Sequence, residues 1–530
     1  MSEFEEKDKA SDNSLDIPMI VEDEDITPYL PKFDKPWYKY SHFLKLYFYV
    51  FLITITSSNN GFDSSIINVF QSLETWKSSM GSWFSDNTKL GSISNAVVFG
   101  TVAAFPFGFI SDKWGRKIAI YCGQSILVVG VIIQAAGDSG PVFLVGRLII
   151  GLGMGMALVG SPSLISEIAY PTHRPIATGF YNTCWYLGAV IAAWVTYGTR
   201  NISSSASWRV PSGLQAALPL FQLALIWMCP ESPRFLVSKG KIEKARKVLR
   251  QCHIGDSQDP HNLEFIEFEL RQIERAIELE KLSSTTSYMD FLKIPSHRKR
   301  LFLTMFTAFV MQFAGNGLVS YYLNKVLDSI GITGETKQLQ INGCLMIYNT
   351  VISMAAAAFV GGLKRRSVLI FSFSGMLVVF IIWTILSALC AQQGYPKSLS
   401  NGVLAMIFFF YAFFNIGLNG LPYVYITEVL PYSHRAKGLN IFQLTQMSVI
   451  IFNGYVNPIG LSNSGWKYYI VYVCAIAFEL TIIYFFYPET SGYTLEEVAK
   501  VFGDGVDQAD LSLAKAKAEL DHKEHPEQDV

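Results

Sequence analysis

The sequence predicts an all-α membrane protein of twelve transmembrane helices in two similar six-helix bundles, which a cytosolic helical linker joins. Three observations lead to this prediction. Half of the 530 residues are hydrophobic and only 16% are charged, and the mean hydropathy is +0.29. The apolar residues form blocks of about twenty, the length at which a helix crosses a bilayer. Short motifs of the first half of the chain also return in the second half.

The apolar blocks set the domain boundaries. The tail 1–44 is acidic and polar, has no signal-peptide core, and is predicted to be disordered in the cytosol. Charged amphipathic helices are predicted between the two sets of spans, in water. The predicted domains are the N-tail 1–44, a bundle 45–230, the linker 231–300, a bundle 301–488 and a cytosolic C-tail 489–530. The spans lie near 45–70, 91–111, 117–137, 141–165, 176–199 and 211–229, then 301–326, 338–362, 367–392, 402–430, 437–460 and 467–488.

The charges predict the orientation and exclude some partners. Lys and Arg concentrate in the loops "DKWGRK", "YPTHRP", "GLKRRS" and "PYSHRAKG", all on one side, so that side and both termini are expected in the cytosol. Asn201 begins an Asn-Ile-Ser sequon on the outer side, which is either a glycosylation site or a chance match. A net charge of −1 gives no support for nucleic-acid binding. No catalytic, cofactor or metal-ligand motif is found, so neither an enzyme nor a metal or cofactor site is expected.

The internal repeat indicates a duplicated bundle. "SEIAYPTHRPIATG" and "TEVLPYSHRAKG" each place an Arg seven residues after a Glu, at Glu167 to Arg174 and Glu428 to Arg435. "PESPRFL" follows the sixth span and "PETSGYTL" follows the twelfth. Two halves with loops in matching places favour a cavity between them and transport by alternating access, in which one half rocks against the other.

Six motifs together resemble the sugar porter family of the major facilitator superfamily, over residues 45–500. They are Gly61-Phe62-Asp63, "GFISDKWGRK", "GRLIIGLGMG", "PESPRFL", "EVLPYSHRAKG" and the closing "PET". Within the family, "YNTCWYLGAVIAAWVTYGT" and "QFAGNGLVSYYL" are more similar to the fungal lactose-permease-like transporters. The resemblance implies the major facilitator fold, a monomer in the lipid bilayer of the plasma membrane, and sugar and proton as transported partners.

The loop charges imply a gate on the cytosolic side. An Arg of "DKWGRK" can pair with Glu167 or Glu231 when this side closes; the alternative is simple anchoring by positive charge. Gly361 departs from the pattern, because the second-half loop has an acid there in the family. The resemblance assigns the gate to Asp112, Arg116, Glu167, Arg174, Glu231, Arg234, Arg365, Arg366, Glu428 and Arg435.

A sugar site needs amides, which both donate to and accept from hydroxyl groups. The alternative is that the amides hold helices together. Met311, Gly317, Asn182 and Tyr423 stand where the family usually has Gln, Asn, Gln and Trp. Most of these changes remove volume, which favours a disaccharide such as lactose or cellobiose over a hexose. The family's ligand positions match Asn182, Gln312, Asn349, Asn415, Tyr423 and Gln446, and their neighbours Asn316, Asn419 and Tyr322 are added as candidates.

Two ionisable residues are predicted at the same membrane depth. Asp63 lies about seven residues before the outer end of the first span, and Arg147 about six residues after the outer start of the fourth. At about 1.5 Å per residue, both lie roughly 10 Å below the surface, and such residues are functional candidates. The matching positions form the proton site in proton-coupled sugar porters. The alternative is a permanent structural ion pair.

The function predicted is proton-coupled uptake of a disaccharide or hexose. A facilitative uniporter keeps the fold without the coupling. A non-transporting sugar sensor is disfavoured, because only about forty residues follow Glu489, whereas sensors of this family carry long cytosolic tails.

Overall fold

The computed structural model describes residues 27–31, 33, 35–283, 287–360, 363–431, 434–491, 498 and 502. All regular secondary structure of the described residues is helical, and the predicted fold class is confirmed. The first bundle contains α1 (Ser41–Phe70), α2 (Asn87–Ala103), α3 (Arg116–Ala136), α4 (Gly140–Ile168), α5 (Arg174–Thr199) and α6 (Ala206–Leu214 with Ala217–Leu225). The second bundle contains α7 (Pro295–Phe313 with Asn316–Asp328), α8 (Glu335–Val360), α9 (Arg365–Gln392), α10 (Lys397–Leu418 with Leu421–Val429), α11 (Arg435–Ser464) and α12 (Tyr468–Phe486).

Not every span is uniformly apolar. Within the described residues, seven helices are long and apolar enough to cross a bilayer, or eight when Asn87–Ala103 and the bent segment Phe105–Trp114 are taken as one span. One of the seven runs through α11 and α12 together. α1, α5 and α8 are not among them. These three helices carry candidate transport residues, and polar side chains around a cavity lower the mean hydropathy of the helix that bears them.

Two breaks shape α7 in the middle of the membrane. Gly315 has φ +100°, and a Cβ there would lie 2.7 Å from the Phe380 ring, so only glycine fits. Tyr322 is also non-helical, with φ −139° and ψ 33°. Broken helices free backbone groups at membrane depth, where they can bind ligands or partner helices.

The linker differs from the expectation that its helices lie in water. Its main helices, Ile242–His253 and Pro260–Ser283, bury Leu249, Phe265 and Ile266 in one hydrophobic cluster with the start of α1 and the turn between α4 and α5. Amphipathic helices bury their apolar face against whatever apolar surface is available. Here that surface is the first bundle.

The N-terminal tail also differs in part from the prediction of disorder over 1–44. The Tyr29 ring stacks on Phe268 of the linker with centroids 4.2 Å apart, and Phe33 packs edge-on against Phe43. α1 already begins at Ser41. Tyr29 therefore packs on the linker and Phe33 packs on α1, while residues 1–26 lie outside the described part.

The two bundles meet at the side opposite the linker, which we call the far side; the side that carries the linker is the linker side. Asn95 of α2 donates to the carbonyl oxygen of Ile451 at 2.9 Å. Asn68 of α1 accepts from the backbone N–H of Leu323 at 3.0 Å, an N–H next to the break at Tyr322. The far side is therefore closed.

The face of α5 that contacts the second bundle becomes exposed toward the linker side. Asn182, Tyr186, Ala189 and Ala193 lie along one face of α5, because residues 4, 7 and 11 positions apart share a helix face. Tyr186, Ala189 and Ala193 are buried, whereas Asn182, nearest to the linker side, is exposed. The lipid-facing residues Phe180 and Leu187 lie on the opposite face of α5. Asn182 is therefore exposed to the space between the bundles.

Candidate transport site

Asp63 and Arg147 lie next to each other, as their matched depth predicts. Both residues are fully buried, with 0% and 1% of their surface exposed. The Arg147 Nη2 donates to the backbone carbonyl oxygen of Asp63 at 3.4 Å, and its Nε donates to the carbonyl oxygen of Ile93 at 3.2 Å. Neither carboxylate oxygen of Asp63 has a hydrogen-bond partner among the described residues. The guanidinium thus contacts the backbone of Asp63 and leaves its carboxyl group free.

The first bundle fixes this geometry from both sides. α1 crosses α5 closely at Gly61, two residues before Asp63, where a Cβ would lie 1.7 Å from the carbonyl oxygen of Trp185. Arg147 sits two turns into α4 and reaches across to α2 through Ile93. The position of the Asp63 carboxyl therefore depends on the packing of helices and not on an ion pair.

A polar cluster of the second bundle joins the first bundle through Tyr186. Asn415 of α10 donates through Nδ2 to Asn349 Oδ1 at 3.2 Å, and its Oδ1 accepts from the Tyr186 hydroxyl at 2.6 Å. Asn349 and Asn415 are each 1% exposed. Nδ2 of Asn349 has no hydrogen-bond partner among the described residues. Two predicted sugar ligands thus meet, and Tyr186, which sequence reasoning missed, connects them to α5.

Other predicted ligands lie one and two turns nearer to the linker side. Asn419 donates to Ser353 Oγ at 2.5 Å. Tyr423 donates to Gln446 Oε1 at 3.1 Å, which joins α10 to α11. Asn419 lies in the break of α10 between Leu418 and Leu421, and Tyr423 lies in the segment that follows; both are half-buried.

The α7 candidates point in different directions. Tyr322 is fully buried, and its hydroxyl donates to the carbonyl oxygen of Gly454 in α11 at 2.5 Å, so it holds the bundle together. Asn316 is half-buried, and its Oδ1 lacks a partner among the described residues. Gln312 is half-buried, and its backbone carbonyl oxygen accepts from Asn453 at 2.6 Å. Asn316 and Gln312 remain candidate ligands, whereas the Tyr322 hydroxyl is engaged with α11 in this conformation.

The space beside Gly317 bears on the size of the site. A Cβ at this position would lie 3.4 Å from Nδ2 of Asn457 and 3.5 Å from Nδ2 of Asn453. Both asparagines belong to α11 and are buried. The volume that a larger side chain at this position would fill is therefore bordered by two amides. Neither was a predicted ligand, since they lie eleven and seven positions after Gln446, the last predicted ligand of α11.

The charged residues at the linker side pair within the first bundle. Arg116 at the start of α3 contacts Glu167 at the end of α4, with Nε 3.3 Å from Oε2. Glu231 accepts the backbone N–H groups of Arg116 and Lys117 at 3.1 and 3.3 Å, so it caps the N-terminus of α3. Burial raises the pKa of the Glu231 carboxyl, and these N–H donors oppose the rise. Gly115, with φ +110°, permits the approach, because a Cβ would lie 2.3 Å from Glu231 Oε2.

The second bundle repeats this arrangement. Arg365 Nη2 lies 3.3 Å from Glu428 Oε1. Glu489, the acid of the closing "PET", accepts the backbone N–H groups of Arg365 and Arg366 at 2.8 and 3.2 Å and so caps α9. Glu489 was not among the predicted residues, although its place in the repeated motif matches that of Glu231.

The remaining charges of the predicted gate lie on the same side. Asp112 lies 3.4 Å from Arg116 and is largely exposed. Arg174 contacts Glu269 of the linker at 3.6 Å, a partner that the sequence did not predict. Arg366 donates to the carbonyl oxygen of Tyr484 at 2.6 Å. Arg234 and Arg435 are half-buried at the starts of the helix Pro233–Ser238 and of α11, and Gly361 lies outside the described residues.

Two further buried polar features escaped the sequence analysis. Thr56 of α1 accepts from Ser161 Oγ at 2.9 Å and from Gln222 Nε2 at 3.0 Å, which ties α1, α4 and α6 together. Glu479 of α12 is 0% exposed, and neither of its carboxylate oxygens has a partner among the described residues. α12 packs against α9 and α7 of its own bundle, so Glu479 is a buried acid away from the interface between the bundles.

Comparison with known proteins agrees with this architecture. Residues 49–502 match the family model described as "Sugar (and other) transporter". The chain is 30% identical over 413 residues to the MFS-type transporter oryC of Aspergillus oryzae, which covers 76% of this chain and 74% of that protein. It is 29% identical over 436 residues to a low-affinity glucose transporter of Kluyveromyces lactis, which covers 80% of this chain and 76% of that protein.

The solved structures show the same fold. The inward open conformation of the xylose transporter XylE from E. coli matches with a TM-score of 0.70 and 20% identity, and covers 86% of this chain and 99% of that one. The family model covers most of the chain and includes every paired motif described above. The chain therefore belongs to the sugar transporter family of the major facilitator superfamily, which consists of membrane transporters and not of enzymes.

Proposed function

We propose that this protein takes up a sugar together with a proton by alternating access, in the plasma membrane and with both termini in the cytosol. The observation that carries the proposal is the buried Asp63 carboxyl, which lacks a hydrogen-bond partner and lies beside Arg147 while the far side is closed. A charged carboxylate in such a place is costly, whereas a protonated one is not.

The proton step follows from the two contacts of Arg147. With the cavity open toward the linker side, Arg147 contacts two backbone carbonyl oxygens, and Asp63 holds the proton that it received from the far side. Release of the proton leaves a carboxylate, which attracts the guanidinium away from these carbonyl oxygens. The Asp63–Arg147 ion pair then lasts until the far side opens and a new proton replaces it. Each cycle thereby moves one proton inward.

The sugar would bind between α5, α8, α10 and α11. Asn182 faces the open cavity, and Asn349, Asn415, Asn419, Tyr423 and Gln446 supply amide and hydroxyl groups around it. Amides that bond one another in the empty site can exchange these bonds for sugar hydroxyls at little net cost. Gln312 and Asn316 complete the site from the break of α7.

Substrate competition tests the size of this site. We expect lactose or cellobiose to inhibit uptake of labelled sugar at least as well as glucose does, because Asn182 and Gly317 are smaller than the residues usual in the family. The measurement is uptake from a panel of mono- and disaccharides in cells without their own sugar transporters, with external pH recorded. Strong inhibition by glucose and none by disaccharides would contradict the proposal of a wide site.

The charged residues at the linker side are proposed to act as the gate. Arg116 and Glu167 are 17% and 12% exposed and pair within the first bundle, as Arg365 and Glu428 do in the second. When the linker side closes, the two sets approach and can exchange partners, which changes the balance between the two states by a few kcal/mol at most.

Arg116→Ala should therefore slow transport about tenfold, equivalent to about 1.4 kcal/mol, without a loss of surface abundance. Uptake rate and surface labelling are measured together. Lys113→Ala removes a charge from the same loop and is the control for topology, since it leaves the Arg116–Glu167 pair intact. If both variants fail to reach the membrane, the charges serve insertion and the gating proposal is wrong.

The uniporter is the second candidate, since the Kluyveromyces relative is named only as a glucose transporter. It would use the same sugar site and gate, and Asp63 would remain protonated throughout the cycle.

A further inference from the structure

A buried histidine of the linker contacts the first bundle. His253 ends the helix Ile242–His253 and is 0% exposed. Its Nδ1 lies 2.6 Å from Oε2 of Glu269, which is 3% exposed, and its Nε2 lies 3.2 Å from the carbonyl oxygen of Ile168. One imidazole therefore joins both long helices of the linker to the last residue of α4.

The hydrogen-bond chemistry of this site requires an additional proton. A carbonyl oxygen and an ionised carboxylate can only accept, while a neutral imidazole has one N–H donor and one acceptor nitrogen. A neutral His253 would thus leave a lone pair facing one of two acceptor oxygens. The imidazolium donates from both nitrogens and satisfies both contacts.

The helix end favours the same charge. Ile168 is the last residue of α4, so its carbonyl oxygen has no partner within the helix and lies at the negative end of the helix dipole. Arg174 shares this site, since its Nη2 lies 3.6 Å from Glu269 Oε1 and its Nε donates to the Ala169 carbonyl oxygen at 3.2 Å.

The other titratable groups around His253 are few. His42 of α1 interacts with it electrostatically, and the Tyr170 ring packs edge-on against it with centroids 5.5 Å apart. Burial raises the pKa of the neighbouring Cys252 thiol to about 12 and also raises the pKa of Tyr170. His173 of the same turn packs against Tyr170 with ring centroids 5.4 Å apart, and Asp256 interacts electrostatically with His42.

We propose that His253 is a proton-binding site on the linker side that fastens the linker to the turn between α4 and α5. The bound proton joins His253, Glu269 and Ile168, and its loss releases the linker from the turn. That turn carries Arg174 and follows Glu167. Attachment or release of the linker therefore affects the position of charged residues proposed as the gate. Acidification on this side strengthens the attachment, and alkalinisation weakens it.

The sign follows from linkage. The attached linker binds one more proton than the released linker, so the equilibrium for attachment falls as pH rises, by up to about tenfold per pH unit. Histidine is the side chain that titrates in this range without special perturbation.

Hydrogen exchange on the purified full-length protein tests the proposal between pH 5.5 and 8.5, after correction for intrinsic exchange rates. We expect the amides of 242–253 and 260–278 to lose protection as pH rises, while those of α9 do not. His253→Gln should give weak protection that does not depend on pH, because an uncharged amide cannot donate to both acceptors with this geometry. His42→Gln and His261→Gln should keep the response of the parent protein.

Two outcomes would overturn the proposal. One is a parent protein whose linker protection follows that of α9 at every pH, a result that needs no variant to fold. The other is a pH response that persists in His253→Gln and disappears in His42→Gln, which would assign the proton to His42. Neither outcome depends on transport, so both are independent of the proposed function.

Discussion

Replacing Asp63 with Asn should abolish the uphill accumulation of sugar and the sugar-induced alkalinisation of the medium, while exchange of sugar across the membrane continues. Asn keeps the size of the side chain and cannot titrate. One proton that crosses with the membrane potential supplies about 2.3 kcal/mol per 100 mV, which supports roughly 50-fold accumulation at about 1.36 kcal/mol per decade. Without the proton, the sugar can only equilibrate, so the expected accumulation ratio falls to about one.

Glu479→Gln is the matched control, because Glu479 is equally buried, equally without a hydrogen-bond partner among the described residues, and distant from the bundle interface. Accumulation ratio, external pH and counterflow are measured for both variants at equal surface abundance. We expect Glu479→Gln to accumulate sugar normally. If Asp63→Asn still concentrates sugar and still moves protons, Asp63 is a structural neighbour of Arg147. If the parent protein never exceeds a ratio of one, the uniporter is correct.

The shared depth of Asp63 and Arg147 could be predicted because helix rise fixes depth, whereas the packing of α1 against α4 that brings them together is seen only in the structure. The atoms in contact could not be predicted in the same way. Whether the guanidinium reaches a carboxylate or a backbone carbonyl oxygen depends on the conformational state, and a single sequence encodes every state of the cycle. Asn349 and Asn415 were predicted individually and contact each other directly, but the contact of Asn415 with Tyr186 of the first bundle depends on how the two bundles approach each other.

The candidates on α7 show a second limit. Tyr322 lies six residues after Asn316, so a regular helix would place the two side chains on different faces. The backbone is broken at Tyr322, however, and this break sets the direction of its side chain. A break of this kind follows from tertiary contacts such as that between Tyr322 and Gly454, which the sequence pattern does not show. For the linker, the amphipathic pattern predicted helices correctly, yet it did not identify the surface that covers their apolar faces.

The closest helix contact of the first bundle leads to the prediction with the largest effect on folding. α1 and α5 cross with Gly61 against Trp185 and Gly188 against Ser58, and a Cβ at either glycine would lie 1.7 Å from a backbone carbonyl oxygen of the other helix. Small residues let membrane helices approach to this distance. Gly61→Ala must push the helices apart by more than an ångström, since the obstructing atom belongs to the backbone and has no alternative rotamer.

We expect Gly61→Ala to cost about 3 kcal/mol or more, at or above the upper end for overpacking, and so to lower the melting temperature and the amount of monodisperse protein. Gly198→Ala is the control, because Gly198 lies in the same α5 and a Cβ there meets nothing within 4 Å. Since Ala favours a helix over Gly by about 0.8–1 kcal/mol, that variant should be at least as stable as the parent. The measurement is thermal unfolding and size-exclusion profile of tagged protein in detergent. Equal stability of the two variants would mean that α1 and α5 separate easily, and the positioning of Asp63 by this helix contact would then need another explanation.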